Sequence, residues 1–335
     1  MKAPFPWFGG KSRIAADIWT RLGDVPNYVE PFFGSGAVLL SRASEPKIET
    51  INDKDRFVAN FWRATQHDPE AVAHYLDWPV NEVDLTARHL WLLTEGTNIL
   101  ARCDGDADFY DARCAGWWVW GACSWIGSGW CSGAGPWSWD HEAHTWIDRR
   151  DGDGNAGQGI NRQLPHLGDA PVLEWIQRLA ERLRRVRVCC GDWERVCGPS
   201  PTFKHGITGV FLDPPYADTA GRTEGLYAED SLTVAHDARE WAIKAGRNPL
   251  MRIAFAGYDG EHTFPTDWDC VAWKAQGGFG SQSEDGSGRD NAVRERIWYS
   301  PACLSANQQD LFSSPAAEDD PSDVRVREMF KEPME

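Results

Sequence analysis

The residues with the clearest chemistry in this 335-residue chain are Asp213-Pro214-Pro215-Tyr216, delivered by the apolar run Val210-Phe211-Leu212. An aromatic amino nitrogen is a poor nucleophile because its lone pair is delocalised into the ring. A carboxylate at Asp213 and the backbone carbonyl of Pro214 can both accept hydrogen bonds from such an NH₂ group. That draws the nitrogen toward a tetrahedral geometry and aims its lone pair at an electrophile such as a methyl sulfonium. Pro214 and Pro215 fix φ and lack N–H groups, so the loop is stiff and its carbonyls stay available. Tyr216 offers a ring face on which a base taken out of a duplex can stack.

A second constellation lies upstream. Glu30-Pro31-Phe32-Phe33-Gly34-Ser35-Gly36 reads as the end of a strand, a glycine turn and the start of a helix. Glycines there allow a sharp turn and close approach of a ligand to the helix N-terminus. A dinucleotide fingerprint would place a third glycine where Leu39 stands, which weakens a nicotinamide reading. Asp53, after Ile51-Asn52, can accept hydrogen bonds from ribose hydroxyls, which nicotinamide dinucleotides and S-adenosylmethionine both carry. The turn and the acid alone leave the two cofactors open.

The elements that must position these residues alternate. Strands are predicted at Asn27–Phe32, Ile48–Asn52, Arg187–Cys190, Gly209–Leu212, Met251–Ala256 and Arg296–Tyr299, with a helix starting at Ala37–Arg42. Strand, helix, strand is the signature of a parallel sheet. Residues 66–170 differ in texture. They open with a predicted helix near Asp84–Leu93 and then hold eight of the 19 tryptophans, from Trp117 to Trp146. Asp151–Gly159 is a predicted loop. Residues 304–335, with eight acids and three bases, are too polar to bury a core and are predicted to be a disordered tail.

In order along the chain, Pro6-Trp7-Phe8-Gly9-Gly10-Lys11, Glu30–Gly36, Asn52-Asp53 and Asp213–Tyr216 resemble the motifs of the Dam-like class of DNA adenine methyltransferases. The resemblance covers about the first 65 residues and about 185–300. It implies an α/β fold, a doubly wound Rossmann-like S-adenosylmethionine-dependent methyltransferase sheet, with an inserted target-recognition module. Residues 1–65 and 171–303 would form the catalytic domain and 66–170 the insert. It implies S-adenosylmethionine as cofactor, held by Trp7, Lys11, Glu30, Phe32, Gly34, Gly36, Asp53, Asp192 and Asp213. Asp192, in Val188–Trp193, is the looser match. It also implies catalysis by Asp213, Pro214, Pro215 and Tyr216 on an adenine N6 in double-stranded DNA, with Arg222–His236, including Tyr227, over the target base. The Trp-rich segment aligns with no known recognition hairpin.

Competing readings stay in view. No Pro-Cys pair occurs, so cytosine C5 chemistry through a cysteine nucleophile is set aside. Cytosine N4 methylation shares the amino chemistry but usually has Ser at the place of Asp213. A non-catalytic DNA-binding protein retaining the fold is the other alternative. The net charge of −16 argues mildly against DNA, although a local strip such as Arg178, Arg182, Arg184, Arg185 and Arg187 could serve phosphates. Cys103, Cys114, Cys123, Cys131, His141 and His144 form no Cys-x-x-Cys pair, so reduced thiols are favoured over zinc. In the tail, Gln308–Phe312, preceded by Asn307, resembles a peptide that binds the bacterial sliding clamp. With no run of about 18 apolar residues and no signal-peptide pattern at Met1–Pro6, the expected compartment is the cytoplasm.

Overall fold

The computed structural model describes residues 1–7, 9–44, 47–106, 108–125, 130–131, 137–140, 145–148, 171–215, 233–273 and 294–305. Tyr216, Tyr227, the Asp151–Gly159 loop, His141, His144 and the Gln308–Phe312 motif lie outside the described residues.

Seven strands form the main sheet: β1 (Asn27–Glu30), β2 (Ile48–Asp53), β5 (Val186–Cys190), β6 (Thr208–Leu212), β7 (Met251–Tyr258), β8 (Asp269–Ala272) and β9 (Glu295–Tyr299). Their order across the sheet is β5-β2-β1-β6-β7-β9-β8. The first five run parallel, and β9 is antiparallel to both its neighbours. Strands β3 (Trp137–Asp140) and β4 (Thr145–Asp148) pair separately as an antiparallel hairpin.

Alternate residues of the central strands feed two cores. Val29, Val210, Leu212, Ile253, Phe255 and Trp298 face one. Tyr28, Phe211, Ala254, Ala256, Ile297 and Tyr299 face the other. Because strand side chains alternate, both faces of the sheet are buried, and such strands read as near-continuous apolar runs. The first face is covered by α9 (Val234–Ala245) and a short turn at Trp193–Val196.

The second face carries most of the helices. In α1 (Ala15–Leu22), Ala15, Ile18, Trp19 and Leu22 are buried at helical spacing. Helix α2 (Ala37–Leu40) follows the glycine turn. Helix α3 (Arg56–His67) begins where Asp55 accepts a hydrogen bond from the Phe57 N–H at 2.7 Å. It stops at Asp68, whose side chain caps α4 (Pro69–Leu76) with Pro69 in the first turn. Helix α5 (Glu82–Trp91) continues through a wider turn at Leu92–Gly96 and a short helix α6 (Thr97–Leu100). Helix α8 (Val172–Leu183) leads into β5.

Tryptophan-rich α7 (Ala112–Ser124) is not set apart by packing. Asn60 of α3 and Asp111 exchange hydrogen bonds at 2.8 and 2.9 Å, and Trp118, Val119 and Trp120 enter the same core as Phe5, Phe61 and Leu179. Gly116 lets α7 close on α4. A Cβ there would sit 2.5 Å from Tyr75 Cβ and 2.9 Å from the Val72 carbonyl oxygen. Alanine is the better helix former by about 1 kcal/mol, but overpacking against backbone costs about 1–3 kcal/mol. Gly116→Ala is therefore expected to lower stability by about 1–2 kcal/mol in chemical denaturation. A more stable variant would show that the two helices are free to separate.

Candidate active site

Strands β1, β2, β5 and β6 end at one edge of the sheet, and the loops after them enclose a cavity of about 300 Å³. Small-molecule sites begin at about this size. Between β1 and β6 the chain's progress across the sheet reverses, the place where parallel sheets open a crevice for ligands.

Asn52 ties three strand ends together. Its Nδ2 donates to the carbonyls of Pro31 and Gly191, each at 3.0 Å. The glycine turn is held from several sides. Asp53 Oδ2 accepts from the Gly34 N–H at 2.9 Å, and its Oδ1 accepts from the Asp55 N–H at 2.9 Å. Trp62 Nε1 donates to the Gly34 carbonyl at 3.1 Å. Gly34 has φ +49°, and a Cβ there would lie 2.3 Å from Trp7 Nε1. Only glycine allows both that backbone and that indole. Gly36 (φ +69°) caps α2 behind the cavity wall.

Burial raises the Asp53 carboxyl to about 6, against the backbone N–H groups of Gly34, Asp55 and Lys54 that favour its charge. Glu30, deeper and 2% exposed, accepts from the Tyr28 hydroxyl at 2.8 Å. Burial pushes its carboxyl well above the ordinary range, in spite of that hydrogen bond. On the opposite wall Phe32 stacks on Trp193 at 6.0 Å between ring centres, and Trp193 meets Trp241 edge-on at 6.2 Å. Asp192 is exposed, and its Oδ1 accepts from the Glu194 N–H at 2.9 Å.

Lys11 crosses the cavity to the acid of the Asp-Pro-Pro loop. Its Nζ donates to Asp213 Oδ1 and Oδ2, both at 2.8 Å, and to the Gly9 carbonyl at 2.6 Å. Lys11 is 2% exposed and the Asp213 side chain 20%. Burial opposes the charge on Lys11, but the fields of Asp213 and Glu295 outweigh it and hold the lysine above its ordinary pKa. Burial likewise raises Asp213, and the adjacent ammonium offsets part of that rise.

Of the residues singled out in the sequence, Trp7, Lys11, Glu30, Phe32, Gly34, Asp53, Asp192, Asp213 and Pro215 all line this cavity. Pro214 is buried beside it, and Lys11 is bound to Asp213. Trp118, Trp130 and Trp193 also line the wall, unforeseen. Trp193 follows Asp192 at a strand's carboxyl end, which is a usable signal. Trp118 and Trp130 carry none, because their approach to the site depends on how α7 packs. Trp130 is fixed by stacking on His89 at 4.8 Å and by donating from Nε1 to the Trp118 carbonyl at 2.9 Å.

The arginine strip lies elsewhere. Arg182 binds Glu49 at 2.6 and 3.0 Å and the Leu39 carbonyl at 3.2 Å. Arg178, Arg184, Arg185 and Arg187 are exposed where α8 runs into the start of β5, the sheet edge opposite the cavity. Among the described residues, no group of three His, Cys, Asp or Glu side chains could hold a metal ion. The thiols of Cys114, Cys123 and Cys131 are buried, and burial pushes each of them up.

A seven-stranded mixed α/β sheet with a glycine turn, a buried acid and an Asp-Pro-Pro loop on one crevice is compatible with a methyltransferase fold. Residues 7–86, about the first quarter of the chain, match the family model of the D12 class N6 adenine-specific DNA methyltransferases. Over those residues the chain is similar to this family. No curated protein matches it as a relative.

The raised Asp53 has a measurable consequence. A carboxyl that ionises near 3.8 when unfolded and near 6 when folded supports the fold most below about pH 4, and that support is gone once the pH passes about 6. The stability of the protein minus that of Asp53→Asn is therefore expected to fall by about 1–3 kcal/mol between pH 4 and pH 7. Denaturant unfolding across that range measures it, and a constant difference would show that Asp53 ionises normally.

Proposed function

We propose that the cavity binds S-adenosylmethionine and presents it to an adenine turned out of double-stranded DNA. The observation that carries this reading is the meeting of two constellations in one cavity. The Gly34 turn with Asp53, and Asp213 with Pro215, arise far apart in sequence and line a single cavity. The sheet is then a doubly wound, Rossmann-like one, a reading supported by its reversal between β1 and β6 and its two covered faces.

In this reading Asp53 accepts hydrogen bonds from the ribose hydroxyls. The Gly34 turn admits the chain of the cofactor close to the backbone, and Phe32 with Trp193 offers aromatic surface to a purine. Buried acids such as Glu30 suit a cationic ligand, because an incoming positive charge favours their ionised form. Trp7, Lys11, Gly36, Asp192 and Asp213 complete the proposed cofactor set. When bound, S-adenosylmethionine supplies a methyl group activated by a sulfonium.

Asp213 and the Pro214 carbonyl accept the two hydrogens of N6. Held this way, the nitrogen's lone pair leaves conjugation with the ring and points along the line of displacement. Asp213, raised by burial, is a stronger acceptor than an exposed carboxylate. Tyr216 supplies a stacking face for the extruded base. Residues 66–170 are the proposed recognition segment, with lysines and arginines of this segment and of nearby loops on the phosphates. The cytoplasm is the proposed compartment.

Transfer of labelled methyl groups from S-adenosylmethionine to N6 of adenine in duplex DNA tests the reading. Asp213→Ala is expected to lower turnover by at least about 100-fold while cofactor binding changes by less than about tenfold. Asp53→Ala is expected to weaken cofactor binding by about tenfold or more. Full turnover in Asp213→Ala would refute the assignment of the acceptor. Unchanged cofactor affinity in Asp53→Ala would refute the assignment of the ribose site.

A further inference from the structure

Helix α9 borders the cavity without taking part in the amino chemistry. Val234 and Asp237, both in its first turn, line the wall. Residues three and four apart share one face of a helix, so Trp241 follows Asp237 on that side. Val234 and Trp241 pack on the core cluster that holds Trp193, and the Trp193 and Trp241 rings meet edge-on at 6.2 Å. Phe32, which stacks on Trp193, packs on the same cluster. Asp237 therefore stands at the end of the cavity that Phe32 and Trp193 define.

Glu30, Asp53, Asp192 and Asp213 each accept a hydrogen bond from a donor of the fold. The Asp237 carboxylate, exposed at the cavity, has no such donor among the described residues. The fold holds it in place all the same, because Ala235, Ala238 and Ala242 bury the side of α9 turned to the sheet. With the ribose at Asp53 and the methyl group turned to Asp213, a purine falls to the end with Phe32 and Trp193. Those rings cover its faces. Its polar edge still needs a partner, since burying that edge without one is costly.

We propose that Asp237 accepts a hydrogen bond from the amino group of the cofactor's adenine and so selects an adenosyl cofactor. A carboxylate offers acceptors and the amino group offers donors, so the two match. A purine with an oxygen at that position sets acceptor against acceptor, and such a mismatch discriminates more strongly than shape does. The role rests on S-adenosylmethionine as the occupant of the cavity.

The test compares two ligands by calorimetry on the full-length protein. One is S-adenosylhomocysteine, the cofactor without its methyl group, and the other is its analogue with an oxygen in place of the adenine amino group. The parent is expected to bind the amino compound about tenfold or more tighter. Asp237→Asn, whose amide can donate as well as accept, is expected to cut that preference to less than about threefold. Asp192→Asn and Glu194→Gln, which alter the other acids near Trp193, are expected to keep it. A parent without preference would overturn the proposal, as would a preference lost in Asp192→Asn or Glu194→Gln and kept in Asp237→Asn. An equal loss for both ligands in Asp237→Asn would also overturn it, because the acid would then hold the ammonium of the amino-acid end. If Asp237→Asn does not fold, a crystal structure of the parent with S-adenosylhomocysteine decides. An Asp237 oxygen within hydrogen-bond distance of the adenine N6 supports the role, and one out of reach overturns it. Binding of neither ligand, with no methyl transfer to DNA, would instead remove the cofactor from the cavity, so the two failures are distinguishable.

Discussion

The pair between Lys11 and Asp213 is the contact on which the site depends. It joins residues 202 positions apart, one in the N-terminal loop and one at the end of a central strand. Neither charge could stand in that place alone, since a buried ion without its counter-ion costs several kcal/mol. The pair therefore fixes where the N-terminal loop lies, and that loop carries Trp7 onto Gly34. One ion pair thus sets both the carboxylate of the Asp-Pro-Pro loop and one wall of the cavity.

Acids elsewhere in the cavity follow a related logic. Glu30 and Asp53 are both shifted upward by burial, and each is supported by hydrogen-bond donors, from Tyr28 and from the Gly34 and Asp55 backbone. A cation entering the cavity favours the ionised form of acids that burial has raised, so their desolvation is repaid when it binds. Two of the 50 acids behind the net charge of −16 are these buried groups. The exposed arginines near β5 do not offset them at the site, because they lie at the opposite edge of the sheet.

Much of the catalytic frame could be read from sequence because its strands are buried on both faces. Val210-Phe211-Leu212 is apolar throughout and Met251–Ala256 is apolar at every position but Arg252, and turn residues bound them. Strand β8 escaped that reading for the converse reason. Asp269, Cys270 and Ala272 are exposed on an edge strand, where burial imposes no pattern. The acid of the Asp-Pro-Pro loop and the ribose-type acid were legible because their chemistry demands particular side chains after a strand. The partner of Asp213 was not, since no local rule relates residue 11 to residue 213.

The Trp- and Gly-rich segment shows most clearly what composition conceals. Its tryptophans mark it as different, and its glycines lower helix propensity, so 112–124 does not announce a helix. Packing gives both residue types one explanation. Gly116 opens α7 to the backbone of α4, and Gly121 leaves space for the Trp130 ring, which a Cβ would meet at 1.8 Å. Small residues cut grooves and large rings fill them, so neither type makes sense without the other. Trp118 and Trp130, held by that interlock, are the rings that reach the cavity. Any movement of α7 would therefore be felt at the cavity wall, which couples the segment to the candidate site through packing rather than through charge.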